Sequence, residues 1–146
     1  MGELVAVAPE GHPLAARSRV SVRDLIREPL IGVSPDDPYG AIIAAPFRAA
    51  RVEYRLSIRA RFAQTVVSLV RHGLGVAVID EFSVAGTQMS GLARIPLEDA
   101  PEIRIYAIAK RGRTLSAYAE VAKAKLREEL RAAVRNRPWQ ARSRGD

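Results

Sequence analysis

The 146-residue sequence contains no cysteine. That excludes disulfides and thiolate metal sites, and it fits a reducing, cytosolic setting. Histidine is scarce. His12 lies beside Pro13 in what reads as a turn, and the only other histidine, His72, falls at a helix end, so neither finds metal-ligating company. The aromatic fraction is 5%. No apolar run approaches the roughly 20 residues that a membrane-spanning helix requires. The opening MGELVAVAPEGHP lacks a basic n-region and a small-residue cleavage site, so no secretory signal is expected. Ser18, Ser21, Ser34, Ser57 and Ser68 fall in neither a Gly-x-Ser-x-Gly elbow nor a Ser-x-x-Lys pattern. The machinery of nucleophilic catalysis is therefore missing, and no cofactor motif replaces it.

A hydrophobic fraction of 48% and a charged fraction of 27% are those of a globular chain. The length suits one domain or two small lobes and can bury roughly 68–70% of the unfolded surface. The net charge of +7 is unevenly distributed. Residues 1–109 hold 12 arginines and 12 acids, whereas residues 110–146 hold 11 Lys and Arg against four acids. The basic excess therefore belongs to the C-terminal segment. Nucleic-acid binding there would call for interleaved aromatics, and only Tyr118 and Trp139 are present.

The run Thr65–Phe82, TVVSLVRHGLGVAVIDEF, organises the middle of the chain. Val66, Val67, Leu69 and Val70 form one helical face, Gly73 suits a left-handed cap, and Gly75–Ile79 has the unbroken apolar content of a central parallel strand. Helix precedes strand, the reverse of a dinucleotide fingerprint, so Gly73-Leu74-Gly75 is not a nucleotide loop. Around this unit, strands are expected at Leu4–Ala8, Pro29–Val33, Leu92–Leu97 and Ile103–Ala109, with an alternating edge strand at Tyr54–Phe62. Helices are expected at Ser21–Arg27, where Ser21 caps and Asp24 follows three residues on, and at Tyr39–Val52, where Pro46 must kink the helix or mark its true start. A short helix is expected at Glu81–Ala85. A long one spans Leu115–Val134, with Leu115, Tyr118, Ala119, Ala122, Leu126, Leu130, Ala133 and Val134 in one buried stripe. GTQMSG reads as a surface turn, Glu98–Pro101 as a hinge, and residues 136–146 as a disordered basic tail.

Four stretches, taken in order, resemble the effector-binding region of LysR-type transcriptional regulators. They are Leu4–Val7 running into Gly11-His12-Pro13-Leu14-Ala15; Val22–Leu25 into Glu28–Ile31; Leu69–Val70 through Gly73–Ala77; and the closing IRIYAIAKRGRTLSAYAEVAKAKL. The resemblance implies an α/β fold, namely a Rossmann-like lobe of a type II periplasmic-binding-protein-like module with part of a second lobe. Residues 9–99 would form the complete lobe, and 1–8 with 100–135 the crossover strands and the remainder of the first lobe. It further implies a homo-oligomer that binds a small effector between lobes. DNA would be contacted only through an N-terminal winged helix absent from this sequence, along with elements that should cover Ile103–Ala109.

Ligands of open α/β sheets bind beyond the carboxyl ends of strands. That rule selects Ser34 and Pro35, then Phe62, Ala63, Gln64 and Thr65, and finally Asp80. Gln64 and Thr65 would offer donors to a carboxylate, with Phe62 or Ala63 as wall, although Thr65 is equally readable as a plain N-cap. Asp80 would pair with a ligand ammonium or guanidinium, as in the branch of the resembled family that responds to amino acids, or simply cap the next helix. Two rival readings are a transporter's solute-binding protein, against which the missing export signal counts, and a basic nucleic-acid module using residues 110–146, against which the even charge of the body counts.

Overall fold

Alternation along Leu4–Ala8 explains how the sheet is built. In the computed structural model, which describes residues 1–85, 89–112 and 114–135, this segment belongs to strand β1 (Gly2–Pro9). Leu4, Ala6 and Ala8 enter one apolar cluster, while Val5 and Val7 enter another on the opposite face. Both faces are covered, so the strand must be apolar throughout.

The sheet has the order β3-β2-β4-β1-β5, with β2 at Leu30–Val33, β3 at Ile58–Ala60, β4 at Val76–Asp80 and β5 at Leu92–Pro96. β2 runs parallel to β3 and to β4, whereas β1 is antiparallel to β4 and β5. The strand expected at Gly75–Ile79 is thus central, but parallel on only one side. The short helix α1 (Val22–Leu25) and helix α2 (Pro38–Ala49) cover the first face with Val22, Leu25, Ile43 and Phe47. Helix α3 (Ala63–Arg71) and the short α4 (Glu81–Ala85) cover the second with Val66, Val67, Val70 and Val84.

Local chemistry sets the boundaries. Ser21 and Asp24 form a reciprocal capping box: the Ser21 N–H donates to Asp24 Oδ2 at 2.9 Å, and the Asp24 N–H to Ser21 Oγ at 3.3 Å. α3 ends in a Schellman arrangement, with Leu74 N–H to Leu69 O at 3.2 Å and Gly73 N–H to Val70 O at 2.9 Å, while Gly73 sits at φ +76°. Gly75 has a different reason to be glycine. A Cβ there would run into the Pro29 carbonyl oxygen, which accepts the Val76 N–H at 2.9 Å and so joins β4 to β2.

Several expectations are corrected. α2 begins at Pro38, capped by Asp37, and continues through a buried Pro46, which therefore does not mark its start. The edge strand shrinks to Ile58–Ala60, because Tyr54 and Leu56 pack onto the core, Tyr54 against Phe47 with ring centroids 4.8 Å apart. The strand expected at Ile103–Ala109 is reduced to β6 (Glu102–Ile103), paired with Gly2 and Glu3. An extended segment becomes a strand only beside another, and no described neighbour flanks residues 104–109; Ile105, Tyr106 and Ile108 are exposed. The final helix, α5 (Ala117–Arg135), exists and packs against α4, but its stripe is only partly covered: Ala119, Leu130, Ala133 and Val134 are half-buried. Tyr118 is 89% and Leu126 63% exposed. The tail at 136–146 and part of the GTQMSG turn lie outside the described residues.

The Asp24 carboxyl is held at about 2, below its ordinary 3.8, by the backbone and hydroxyl hydrogen bonds from Ser21 and by Arg17. A depressed carboxyl stabilises the fold above its unfolded value and loses that effect as pH falls toward the folded one. Asp24→Ala should cost about 1 kcal/mol at neutral pH. In urea titrations its deficit relative to wild type should shrink between pH 4 and pH 2. Gly75→Ala should be the more damaging of two glycine changes. Gly73→Ala, which enters open space at positive φ, should cost about 1 kcal/mol, and Gly75→Ala distinctly more by the same titration.

Candidate ligand-binding edge

Because β2, β3 and β4 are mutually parallel, their carboxyl ends emerge on one side of the sheet, where the turns into α2, α3 and α4 follow. β1 begins at that same side, since Leu4 is in register with Asp80. Gly2 lies close against α4: a Cβ there would sit 2.5 Å from the Phe82 ring and 2.9 Å from Glu81 Oε1.

Each residue selected from the sequence has a definite place here. Ser34 follows β2, and its hydroxyl donates to Asp36 at 3.1 Å while its carbonyl accepts the Asp37 N–H at 3.0 Å. Pro35 is half-buried beside it. Gly40 allows the first turn of α2 to press against the Ser34 carbonyl. Phe62 is the N-cap residue of α3 and is 66% exposed, with the Arg61 guanidinium 6.0 Å from its ring centre. Thr65 is therefore not the cap; it is the third residue of the helix. Phe62 supplies no side-chain cap to the first-turn N–H groups, and its carbonyl accepts the N–H groups of Thr65 and Val66 instead. The N–H groups of Ala63 and Gln64 consequently face outward at the positive end of the helix dipole. The Gln64 side chain reaches across to α4, where Nε2 donates to the Ser83 carbonyl at 2.9 Å.

Asp80 is buried, with 6% of its surface exposed. Its Oδ1 accepts the Ser83 N–H at 2.9 Å, and its Oδ2 accepts the Ser83 hydroxyl at 2.6 Å and the Tyr39 phenol. The capping reading thus accounts for this carboxylate. Burial, reinforced by the Asp80 carboxylate, pushes the Tyr39 phenol above its usual range, so Tyr39 keeps its proton and remains a donor at physiological pH. Tyr39 and Ser83 were not selected from the sequence. Ser83 was findable, since Asp80-Glu81-Phe82-Ser83 has the spacing of a helix cap. Tyr39 was not, for its partner lies 41 residues away.

The two histidines serve local structure. His12 Nδ1 accepts the Leu14 N–H at 3.2 Å, and the His72 ring meets the Ser68 carbonyl at 2.8 Å. A separate groove of about 360 Å³ is lined by Ser21, Arg23, Pro46, Ala50, Glu98 and Asp99, and shares no residue with this edge.

With this geometry in view, comparison with known proteins is decisive about family. Residues 2–131 match the model of the LysR substrate binding domain. The transcriptional activator protein LysR of Escherichia coli (strain K12) is 31% identical over 88 residues, which is 60% of this chain and 28% of that protein. Among solved structures, HinK, a LysR family transcriptional regulator from Pseudomonas aeruginosa, superposes with a TM-score of 0.65 at 20% identity, covering 89% of this chain and 46% of HinK. The effector binding domain of QuiR in complex with shikimate gives 0.64 at 19% identity, covering 92% of this chain and 63% of that one. The chain belongs to the LysR substrate-binding domain family, a ligand-sensing class of transcription-regulator domain and not an enzyme, with the periplasmic-binding-protein-like fold. It spans little more than a quarter of the curated LysR activator's length.

Asp80→Ala should leave the half-buried Tyr39 phenol and the start of α4 without their acceptor, at a cost of about 1–3 kcal/mol. Tyr39→Phe should cost less, because it leaves Asp80 its two Ser83 donors. Chemical denaturation of the two variants checks the order.

Proposed function

We propose that this chain is the effector-sensing part of a LysR-type regulator, and that a small carboxylate-bearing molecule binds at the edge formed by Ser34–Pro35, Phe62–Thr65 and the Asp80 turn. One observation carries the reading: three parallel strands end together, and the helix following one of them presents first-turn N–H groups that no side chain caps. Such groups favour an anion. The N–H groups of Ala63 and Gln64 supply the donors, with the Thr65 hydroxyl beside them, and Phe62 supplies an exposed apolar wall. Asp80 serves as the support beneath them. The match to a shikimate-bound effector domain over 92% of this chain is consistent with an acid as ligand.

In this reading residues 9–99, with Leu4–Ala8 of β1 threaded through their sheet, are one lobe and the β1–β6 ribbon is the crossover to the other. The ligand favours one lobe arrangement and so shifts its population, re-aiming DNA-binding domains carried elsewhere in a cytoplasmic homo-oligomer. Among the described residues no helix is long and apolar enough to cross a membrane.

A panel of carboxylates should contain at least one that raises the melting temperature; an acid at 100 times its Kd adds about 2.7 kcal/mol. Thr65→Asp separates binding from folding. A carboxylate in the first helical turn complements the dipole and leaves stability equal or higher, yet it repels an anionic ligand and should weaken binding roughly five- to tenfold. A panel in which no acid shifts the melting temperature, or a Thr65→Asp protein that binds its acid normally, would overturn the reading.

A further inference from the structure

β6 ends at Ile103 because β1, its one partner among the described residues, reaches no further than Gly2. The chain nevertheless runs on without bend or turn as far as Lys110. Over this stretch, EIRIYAIAK, the sequence keeps the two-residue period of a strand. Ile103, Ile105, Ala107 and Ala109 fall on one side, and Glu102, Arg104, Tyr106, Ile108 and Lys110 on the other. The Glu102–Arg104 ion pair, at 3.5 Å, joins two neighbours on that second side. Natural sheet edges are commonly blunted by proline, by bulges or by a covering element. Residues 102–110 contain neither proline nor glycine, and Tyr106 is 72% and Ile108 96% exposed. A strand-forming segment thus stands beside an empty place for a neighbour.

We infer that the neighbour is the same segment of a second copy, the two pairing as antiparallel strands centred on Tyr106. The contact needs no bound ligand. Twofold symmetry sets residues of the same side opposite each other, so alternative registers differ in which residue lies at the centre. With Tyr106 at the centre, Glu102 of each copy faces Lys110 of the other, Tyr106 faces its own counterpart, and the large Ile103 and Ile105 face the small Ala109 and Ala107. With Ala107 at the centre, Arg104 would face Lys110, setting like charges together. With Ile105 there, Glu102 would face Ile108 and have no cation opposite it. Charge and size therefore agree on one register, in which the segment is complementary to itself.

Sedimentation equilibrium of the full chain at micromolar concentrations should show monomer and dimer in exchange. Glu102→Lys and Lys110→Glu should each weaken the dimer roughly tenfold, because every dimer holds the pair twice, and the double reversal should restore it. Both side chains are exposed, so the urea midpoint should stay near that of wild type. The absence of cysteine lets the register be read by crosslinking. Tyr106→Cys should form a disulfide between copies on mild oxidation. Arg104→Cys should not, since its two sulfurs would lie four residues apart along the ribbon, about 14 Å and beyond disulfide reach. Mixing Arg104→Cys with Ile108→Cys protein should bring the crosslink back. A chain that stays monomeric, a dimer indifferent to both charge reversals, or Arg104→Cys crosslinking as readily as Tyr106→Cys overturns the inference.

Discussion

Everything at the carboxyl edge of the sheet depends on how closely β4 can approach β2. The Val76 N–H reaches the Pro29 carbonyl at 2.9 Å, and the residue before it must lack a Cβ for that contact to exist. Once it is made, the register follows: Leu30 beside Val76, Ile31 beside Ala77, and on the other side Ile31 beside Ile58. Three strands then stop at a common level, and three helices must start there. The concentration of helix N-termini on one side of the sheet is a consequence of parallel pairing rather than an added device.

The polar groups at this edge are used in two different ways. Asp80 is enclosed and saturated, held by donors from α4 and α2, and its contribution is to keep three elements in fixed relation. The first turn of α3 is the opposite case, with N–H groups facing outward and an exposed phenylalanine at the cap position. Under the function proposed above, a rigid support beneath open donors is what would let a small anion be held without reorganising the protein.

Much of this was readable from the sequence, for reasons that can be traced residue by residue. The valines of α3, followed by Gly73 and the apolar run of β4, carry both helical and strand periodicity within 18 residues, and neither signal is ambiguous. Ser21 and Asp24 announced their capping box by spacing alone. The strand-end rule found the turns after β2, β3 and β4, although whether each chosen residue touches a ligand is a separate question. Other features depended on partners that periodicity cannot see. Leu4–Ala8 reads as buried, but nothing in it says that it lies antiparallel between β4 and β5. Ile103–Ala109 is as apolar as any strand here, yet pairing requires a neighbour, and β1 offers only two residues. Tyr39 bonds a residue far along the chain, and the covered stripe expected on α5 needed a wider surface than α4, which covers only part of it.

The junction between β1 and β6 has a mechanical side. Beyond the main sheet these strands form a ribbon of just two residue pairs, Gly2 with Ile103 and Glu3 with Glu102. Such a narrow strap resists stretching because the covalent chain runs along it, while its backbone hydrogen bonds run across it from strand to strand. The Phe82 ring packed over Gly2 puts α4 directly against that strap, and α5, which follows the strap in the chain, packs back on α4.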